Sequence, residues 1–264
     1  MLEPLPILRE PQRTASPLAR NLPADLALGW LASGCRDLMT APLASLAYGF
    51  FLVLLSYAVL WALSAAGLLY LALPAVSGFL IVAPFLALGL YEKSRLVEKG
   101  EMPTLGRMLL ARPRSGGQLA FAGLLLGVLV LFWLRVADLL YALFFGLQPI
   151  PGAIDALMNV LTTPRGWALI VIGSLIGGLF AAFAFALSLF SVPMLVNERS
   201  DALTALGLSF AMTTRNLTPC LAWAVIIVIG MAISVATGLI ALAVIFPILG
   251  HGTWHAWRTI GTST

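Results

Sequence analysis

From Pro219 to Trp257 the chain runs without a single Asp, Glu, Lys or Arg. A helix needs about twenty mainly apolar residues to cross a bilayer, and this stretch is nearly twice that. Its length predicts two spanning helices, about 219–236 and 239–257, folded back on each other near Thr237 and Gly238. The alternative is one long helix followed by a short re-entrant piece. Four earlier segments are just as apolar: about 43–65, 67–90, 119–145 and 167–195. The expectation is an all-α, polytopic transmembrane bundle of six spans, with five as the alternative.

Composition closes off a water-soluble fold. Of 264 residues, 61% are hydrophobic and only 10% charged, and the mean hydropathy is +1.01. A soluble domain carries about 25% charged residues, and no globular core could hide this much aliphatic surface. Residues 1–21 read as a polar tail interrupted by Pro4, Pro6, Pro11 and Pro17. That tail has no apolar run ending in a small-residue cleavage site, so it does not read as a signal peptide. Residues 22–260 read as a single transmembrane domain, with no room for a separate soluble one.

Orientation follows from the cations outside the spans, because Lys and Arg are retained in the cytoplasm. Arg9, Arg13, Arg20 and Arg36 precede the first span. Lys93, Arg95, Lys99, Arg107, Arg112 and Arg114 follow the second, Arg199 and Arg215 the fourth, and Arg258 the last. Six spans put all of these on one face and leave Arg165 on the other. Both termini are therefore expected in the cytoplasm. Five spans would move only Arg258. Cys35 and Cys220 then lie beside cytoplasmic segments, where thiols stay reduced. Glu92, Glu98 and Glu101 interleave with the loop cations, and no basic patch with interleaved aromatics appears, so nucleic acid is not an expected partner.

A pattern recurs along the chain. Pro84-Phe-Leu-Ala-Leu-Gly89-Leu-Tyr91-Glu-Lys-Ser-Arg95 closes the second span, and Pro247-Ile-Leu-Gly-His-Gly252-Thr-Trp254-His-Ala-Trp-Arg258 closes the last. In both, Gly follows Pro by five residues, an aromatic by seven and Arg by eleven. Pro193-Met-Leu-Val-Asn-Glu-Arg199 is a degenerate third copy. Amphipathic segments 25–42 and 201–219 lead into spans one and five. The pattern reads as an interfacial helix plus a helical hairpin, used three times. Tyr91 with Arg95, and Trp254 with Arg258, are expected to anchor the returning helices among the headgroups.

These residues also carry a family likeness. Cys35-Arg-Asp37 leading to Pro42-Leu-Ala-Ser-Leu-Ala-Tyr48-Gly49, then Gly89–Arg95, Ser191–Leu195 and Pro247–Arg258, resemble the bacterial membrane family catalogued as domain of unknown function 2189. The likeness extends over about residues 22–260, and Gly252 and Trp257 depart from its pattern. It implies a polytopic inner-membrane protein without an assigned reaction. Some members carry a label linking them to cytochrome c oxidase subunit I. Such a catalytic subunit needs several His to hold two haems and a copper, and this chain has two His in total.

Few residues carry chemistry. Arg135 and Asp138 fall inside span three at i and i+3, where they can pair; intramembrane charges are functional candidates by default. The structural reading is an ion pair facing the other helices, and the functional one is a substrate or proton path. His251 and His255, one turn apart, could hold a metal or haem. The blander reading is an interfacial pair bonded to headgroups or backbone, which predicts colourless protein and near-normal folding when both become Ala. Gly173, Gly177 and Ala181, with Gly178, Ala182 and Ala186, place small residues along two adjacent lines of span four, allowing close helix approach. A short surface helix is expected between Pro151 and Pro164. No phosphate loop, nucleophile triad or paired carboxylates are evident, and no cofactor is expected. The sequence thus points first to a non-enzymatic accessory, assembly or scaffold component. Transport of a small solute or lipid past Arg135 and Asp138 is second, and a haem- or copper-handling role for His251 and His255 third. Expected partners are the bilayer and another membrane complex or a second copy.

Overall fold

A computed structural model describes Leu18 and residues 22–68, 72–146 and 153–261. Its regular elements are α-helices, eleven among the described residues. In chain order they are α1 (Leu26–Met39), α2 (Pro42–Ala65), α3 (Ala72–Leu86), α4 (Leu88–Glu98), α5 (Leu105–Leu109) and α6 (Gly116–Phe145). Then come α7 (Ala153–Thr162), α8 (Pro164–Asn197), α9 (Ala202–Arg215), α10 (Leu217–Ala236) and α11 (Leu242–Gly261).

The boundaries have local causes. Pro42 and Pro164 open α2 and α8 at positions where the missing N–H would have had no intrahelical partner. Thr163, at the head of α8, accepts from the Gly166 amide at 3.0 Å, and Asp201, at the head of α9, accepts from Thr204 at 2.9 Å. Gly67 ends the turn after α2 with φ +70°, and Gly238 with φ +62° turns the chain from α10 into α11. Both adopt the left-handed backbone that a Cβ disfavours. The chain thus turns at Thr237 and Gly238, as expected, from α10 into α11.

Four helices, α2, α6, α8 and α10, are long and apolar enough to cross a membrane. The shortest of them, α10, has 20 residues and reaches about 30 Å, the thickness of the hydrocarbon core. The second expected span is not one straight helix. Pro84 has no N–H for the backbone ladder, and the rod breaks at Ala87 into α3 and α4. The stretch Leu69–Leu71 of that span lies outside the described residues. The last expected span corresponds to α11, which is not among those four: its apolar first half continues as helix into the polar stretch His251–Arg258. A short α7 occupies the segment expected between Pro151 and Pro164. Most of the polar tail, residues 1–17 and 19–21, lies outside the described residues.

The core sits at one end. There α11 is surrounded by α1, α2, α4, α8 and α10. Gly34 of α1 lies so close to α11 that a Cβ would sit 2.3 Å from the Ile248 carbonyl, and at Gly49 of α2 one would sit 2.1 Å from the Ala243 carbonyl. Trp30, Trp223, Trp254, Trp257, Tyr91 and Phe190 fill the space between these helices. The same end gathers the cationic segments. Arg258 meets Glu98 at 3.3 Å, and Ser115 Oγ donates to the Glu198 carbonyl at 2.9 Å. The Asn216 amide donates to the Leu18 carbonyl at 2.7 Å. At the opposite end the Tyr57 hydroxyl donates to the Gly238 carbonyl.

Candidate functional site

Four helix segments converge at the basic end: the last turn of α1, the first turn of α2, and α4 against α11. Their polar side chains form one buried network. Lys93 of α4 is wholly buried. Its ammonium donates to the Ala41 carbonyl at 3.0 Å, the Leu38 carbonyl at 3.4 Å and Ser45 Oγ at 2.6 Å. Leu38 belongs to the last turn of α1, where carbonyls lack intrahelical partners, so Lys93 caps that helix and ties it to α2.

His251 continues the network. Its Nε2 lies 3.0 Å from Ser45 Oγ and its Nδ1 2.9 Å from Ser94 Oγ. Asp37 Oδ2 lies 2.9 Å from His255 Nε2, and Ser94 stands near enough to favour the Asp37 carboxylate. One assignment of protons satisfies every member. Lysine has donors only, so Ser45 accepts from Lys93 and donates to His251 Nε2. His251 then carries its proton on Nδ1 and donates to Ser94, whose own proton can turn toward the Asp37 carboxylate. His255 donates to the same carboxylate from the other side. A directed chain thus runs from the buried ammonium through Ser45 and His251 to Ser94, beside the buried carboxylate.

Electrostatics follow from this arrangement. Burial raises the Asp37 carboxyl, but hydrogen bonding by His255 and Ser94, with the neighbouring imidazoles, outweighs it and holds the group below its usual value. Burial pushes Lys93 down to about 8, partly offset by Asp37. A lysine whose folded pKa lies below its unfolded one binds fewer protons when folded. Stability therefore rises with pH from about 8 to about 10.5, by at most about 1.4 kcal/mol per unit. Thermal melts in detergent are expected to show this rise in the native protein and not in Lys93→Met; parallel profiles would place the ammonium elsewhere.

The repeated motif is where α4 and α11 meet. Tyr91 and Trp254, its equivalent aromatics, stack with ring centroids 6.5 Å apart. Leu90 lies on Gly250, where a Cβ would approach to 2.6 Å. Tyr91 and Trp254 are therefore buried against each other instead of reaching out to headgroups. The Trp254 indole donates to Glu98 at 2.9 Å. Arg95 forms a two-pronged pair with Glu92 at 2.7 and 2.8 Å, and Arg258 lies over the Trp257 ring. The reason is register: the close helix contact that the glycines permit turns these aromatics toward the partner helix.

The remaining sequence candidates fall elsewhere. Arg135 Nη1 lies 3.5 Å from Asp138 Oδ2, with the Arg135 side chain 83% exposed. α6 packs through Leu119, Ala122, Leu126 and Trp133. At about 100° per residue, Arg135 points away from that face, so the pair does not face the other helices as expected. Of the small-residue lines, Gly177 meets the Trp133 ring, where a Cβ would be 2.8 Å away, whereas Gly173 has open space beside it. Gly178, Ala181, Ala182 and Ala186 line a crevice instead. No group of three or more metal-ligating side chains occurs among the described residues, and both His251 ring nitrogens already have serine partners.

That crevice has a volume of about 580 Å³ and lies between α3, α8, α10 and α11, with α9 at its basic end. Its walls are apolar, with Phe79, Phe185, Met231 and Phe246 among them.

Sequence reasoning missed Lys93, Ser45, Ser94 and Asp37 as a unit. All four sit inside recurrent or family-like motifs, yet Lys93 reads as one more loop cation. Nothing in a single chain says that four separate segments meet.

Apolar helices of spanning length around a one-ended polar core define the class: a polytopic α-helical integral membrane protein. Residues 71–197 match the family described as "Predicted integral membrane protein (DUF2189)". The likeness read from the motifs is thereby established over that stretch, while Cys35–Gly49 and Pro247–Arg258 lie outside it. No curated protein and no solved structure matches the chain.

Proposed function

We propose that this protein is a six-span component of the bacterial inner membrane with both termini in the cytoplasm, acting as a non-enzymatic accessory, assembly or scaffold element. The observation carrying this reading is the closed network at the basic end. Lys93, Ser45, His251, Ser94, Asp37 and His255 satisfy one another and hold four helix segments together. Groups that could do chemistry are engaged in architecture. A haem or copper role for His251 would require breaking bonds to both serines. A transport path past Arg135 and Asp138 draws no support from the crevice, which neither residue lines.

In this reading α3–α4 and α11 are the returning crossings, each bent or weakened by a proline. The order α1, α2, α3–α4 recurs as α9, α10, α11, and the two motif-bearing returns pack on each other, which supports a duplicated unit. The segment α5, α6, α8 would be its third, divergent copy. Reporters fused after Arg95, Arg199 and Arg258 are expected to read cytoplasm, and one near Asp155 the outside. An outside signal at Arg258 alone would leave five crossings.

The role itself is tested by gentle detergent purification with mass spectrometry of everything retained. A membrane protein recovered at fixed stoichiometry, in pull-downs from either side, is the expected result. Partner-free protein that moves a solute across liposomes would replace the scaffold reading with transport.

A further inference from the structure

Two hydroxyls in the crevice have no hydrogen-bond partner among the described residues. Tyr91 of α4 is 1% exposed and Ser188 of α8 2% exposed, and both line the cavity. Their neighbours behave differently. Thr253 donates to Leu249, Thr214 to Phe210, Ser234 to Gly230, and Ser209 behind α8 to Ala186. A serine in a helix usually donates to the carbonyl one turn back, as Ser191 does to Leu187 at 2.7 Å. Ser188 does not. Leaving a hydroxyl unpaired in an apolar surrounding costs on the order of 1–3 kcal/mol, and two such groups in one cavity point to an absent acceptor.

The cavity's surroundings decide what that acceptor belongs to. Its rim includes Phe183, Leu221 and Val228, all exposed side chains of spanning helices. It therefore opens sideways into bilayer hydrocarbon and not into water. Apart from a few hydroxyls and one thiol its walls are apolar. Tyr91 and Cys220 stand toward the basic end, where a lipid's polar linkage lies, and Ser188 is in the last three turns of α8. We infer that the crevice is a binding site for an acyl lipid, its chain lying along α8 and α10 and its carbonyl oxygen accepting from Tyr91 and Ser188. Gly178, Ala181 and Ala182 keep the wall of α8 low enough for the chain, a use of small residues distinct from helix packing. The inference goes beyond the scaffold reading and stands whether or not a protein partner exists.

The chemistry is shared by a phospholipid ester and a free fatty acid, and the experiment separates them. Protein purified in detergent and delipidated is titrated with dioleoylphosphatidylglycerol or with oleic acid, reading bound lipid by native mass spectrometry and the melting temperature in parallel. One bound lipid per chain and a raised melting temperature are expected. The better of the two probes names the source. Tyr91→Phe with Ser188→Ala is expected to weaken binding about thirtyfold, the scale of two hydrogen bonds to a carbonyl. Ala182→Trp, at an exposed position on the cavity wall, should fold normally and block the chain, abolishing the bound peak. Equal occupancy in native protein and Ala182→Trp would overturn the assignment, as would failure of both lipids to bind native protein. Loss of a protein partner with lipid binding intact would instead count against the scaffold reading alone.

Discussion

Gly49→Val is expected to leave no folded protein after detergent extraction. A Cβ at Gly49 would stand 2.1 Å from the Ala243 carbonyl oxygen, 2.8 Å from its carbon and 2.9 Å from the Pro247 ring. Two of those atoms are backbone, which cannot swing aside as a flexible side chain can. Relief would require α2 and α11 to part, and with them the contacts that bury Leu52, Val53 and Phe246. Forced overpacking costs about 1–3 kcal/mol where the core can yield, and more where it cannot. Gly173→Ala is the matched control. It lies in a spanning helix with nothing within 4 Å of the added carbon, and helix propensity alone favours the alanine by up to about 1 kcal/mol. Fluorescence-detected gel filtration of both variants makes the test. A monodisperse Gly49→Val peak with a native melting temperature would show that α2 and α11 are not in contact there.

The second large effect is at His251. Considered along the sequence, an interfacial histidine pair was expected to tolerate replacement of both members by Ala. The structure reverses that expectation, because His251 has no exposed surface and bridges two serines on different helices. His251→Ala removes the ring, leaves a cavity and strands the Ser45 and Ser94 hydroxyls. Those terms together amount to about 3–5 kcal/mol, a fall in melting temperature on the order of ten degrees for a chain of this size. His251→Gln can both donate and accept, and should recover part of the loss. His255→Ala should cost less, since His255 is partly exposed and Asp37 keeps Ser94. If His251→Ala melts with the native protein, the bridge between α2, α4 and α11 does not form.

Much of this was legible in the chain, and the reasons are local. Hydropathy over twenty residues locates a spanning helix without reference to anything else, so α2, α6, α8 and α10 fall close to their expected bounds. Gly238 needed only its backbone freedom to be read as a turn. Asp25 and Asp201 opened the amphipathic segments that became α1 and α9. The sideways facts were not legible. Tyr91 and Trp254 were matched by register, but the match could not say that they stack on each other and not on lipid. Arg135 and Asp138 were rightly adjacent on α6, yet which way that face turned depended on where α3 and α8 pack.

What the sequence alone determined is that this chain lives in lipid as a set of helices with its cations gathered beyond them. Solvation dictates this: hydrocarbon leaves a backbone no partner but itself, and charge stays where water is. Only the tertiary structure decided that Lys93, Ser45, His251, Ser94 and Asp37 form one network, and that Tyr91 and Ser188 look into a cavity. Those groups come from segments as much as about two hundred residues apart. Their meeting depends on glycines at 34, 49 and 252 that let α11 come within backbone contact of its neighbours. Proximity of that kind is a property of packing, which no single helix contains.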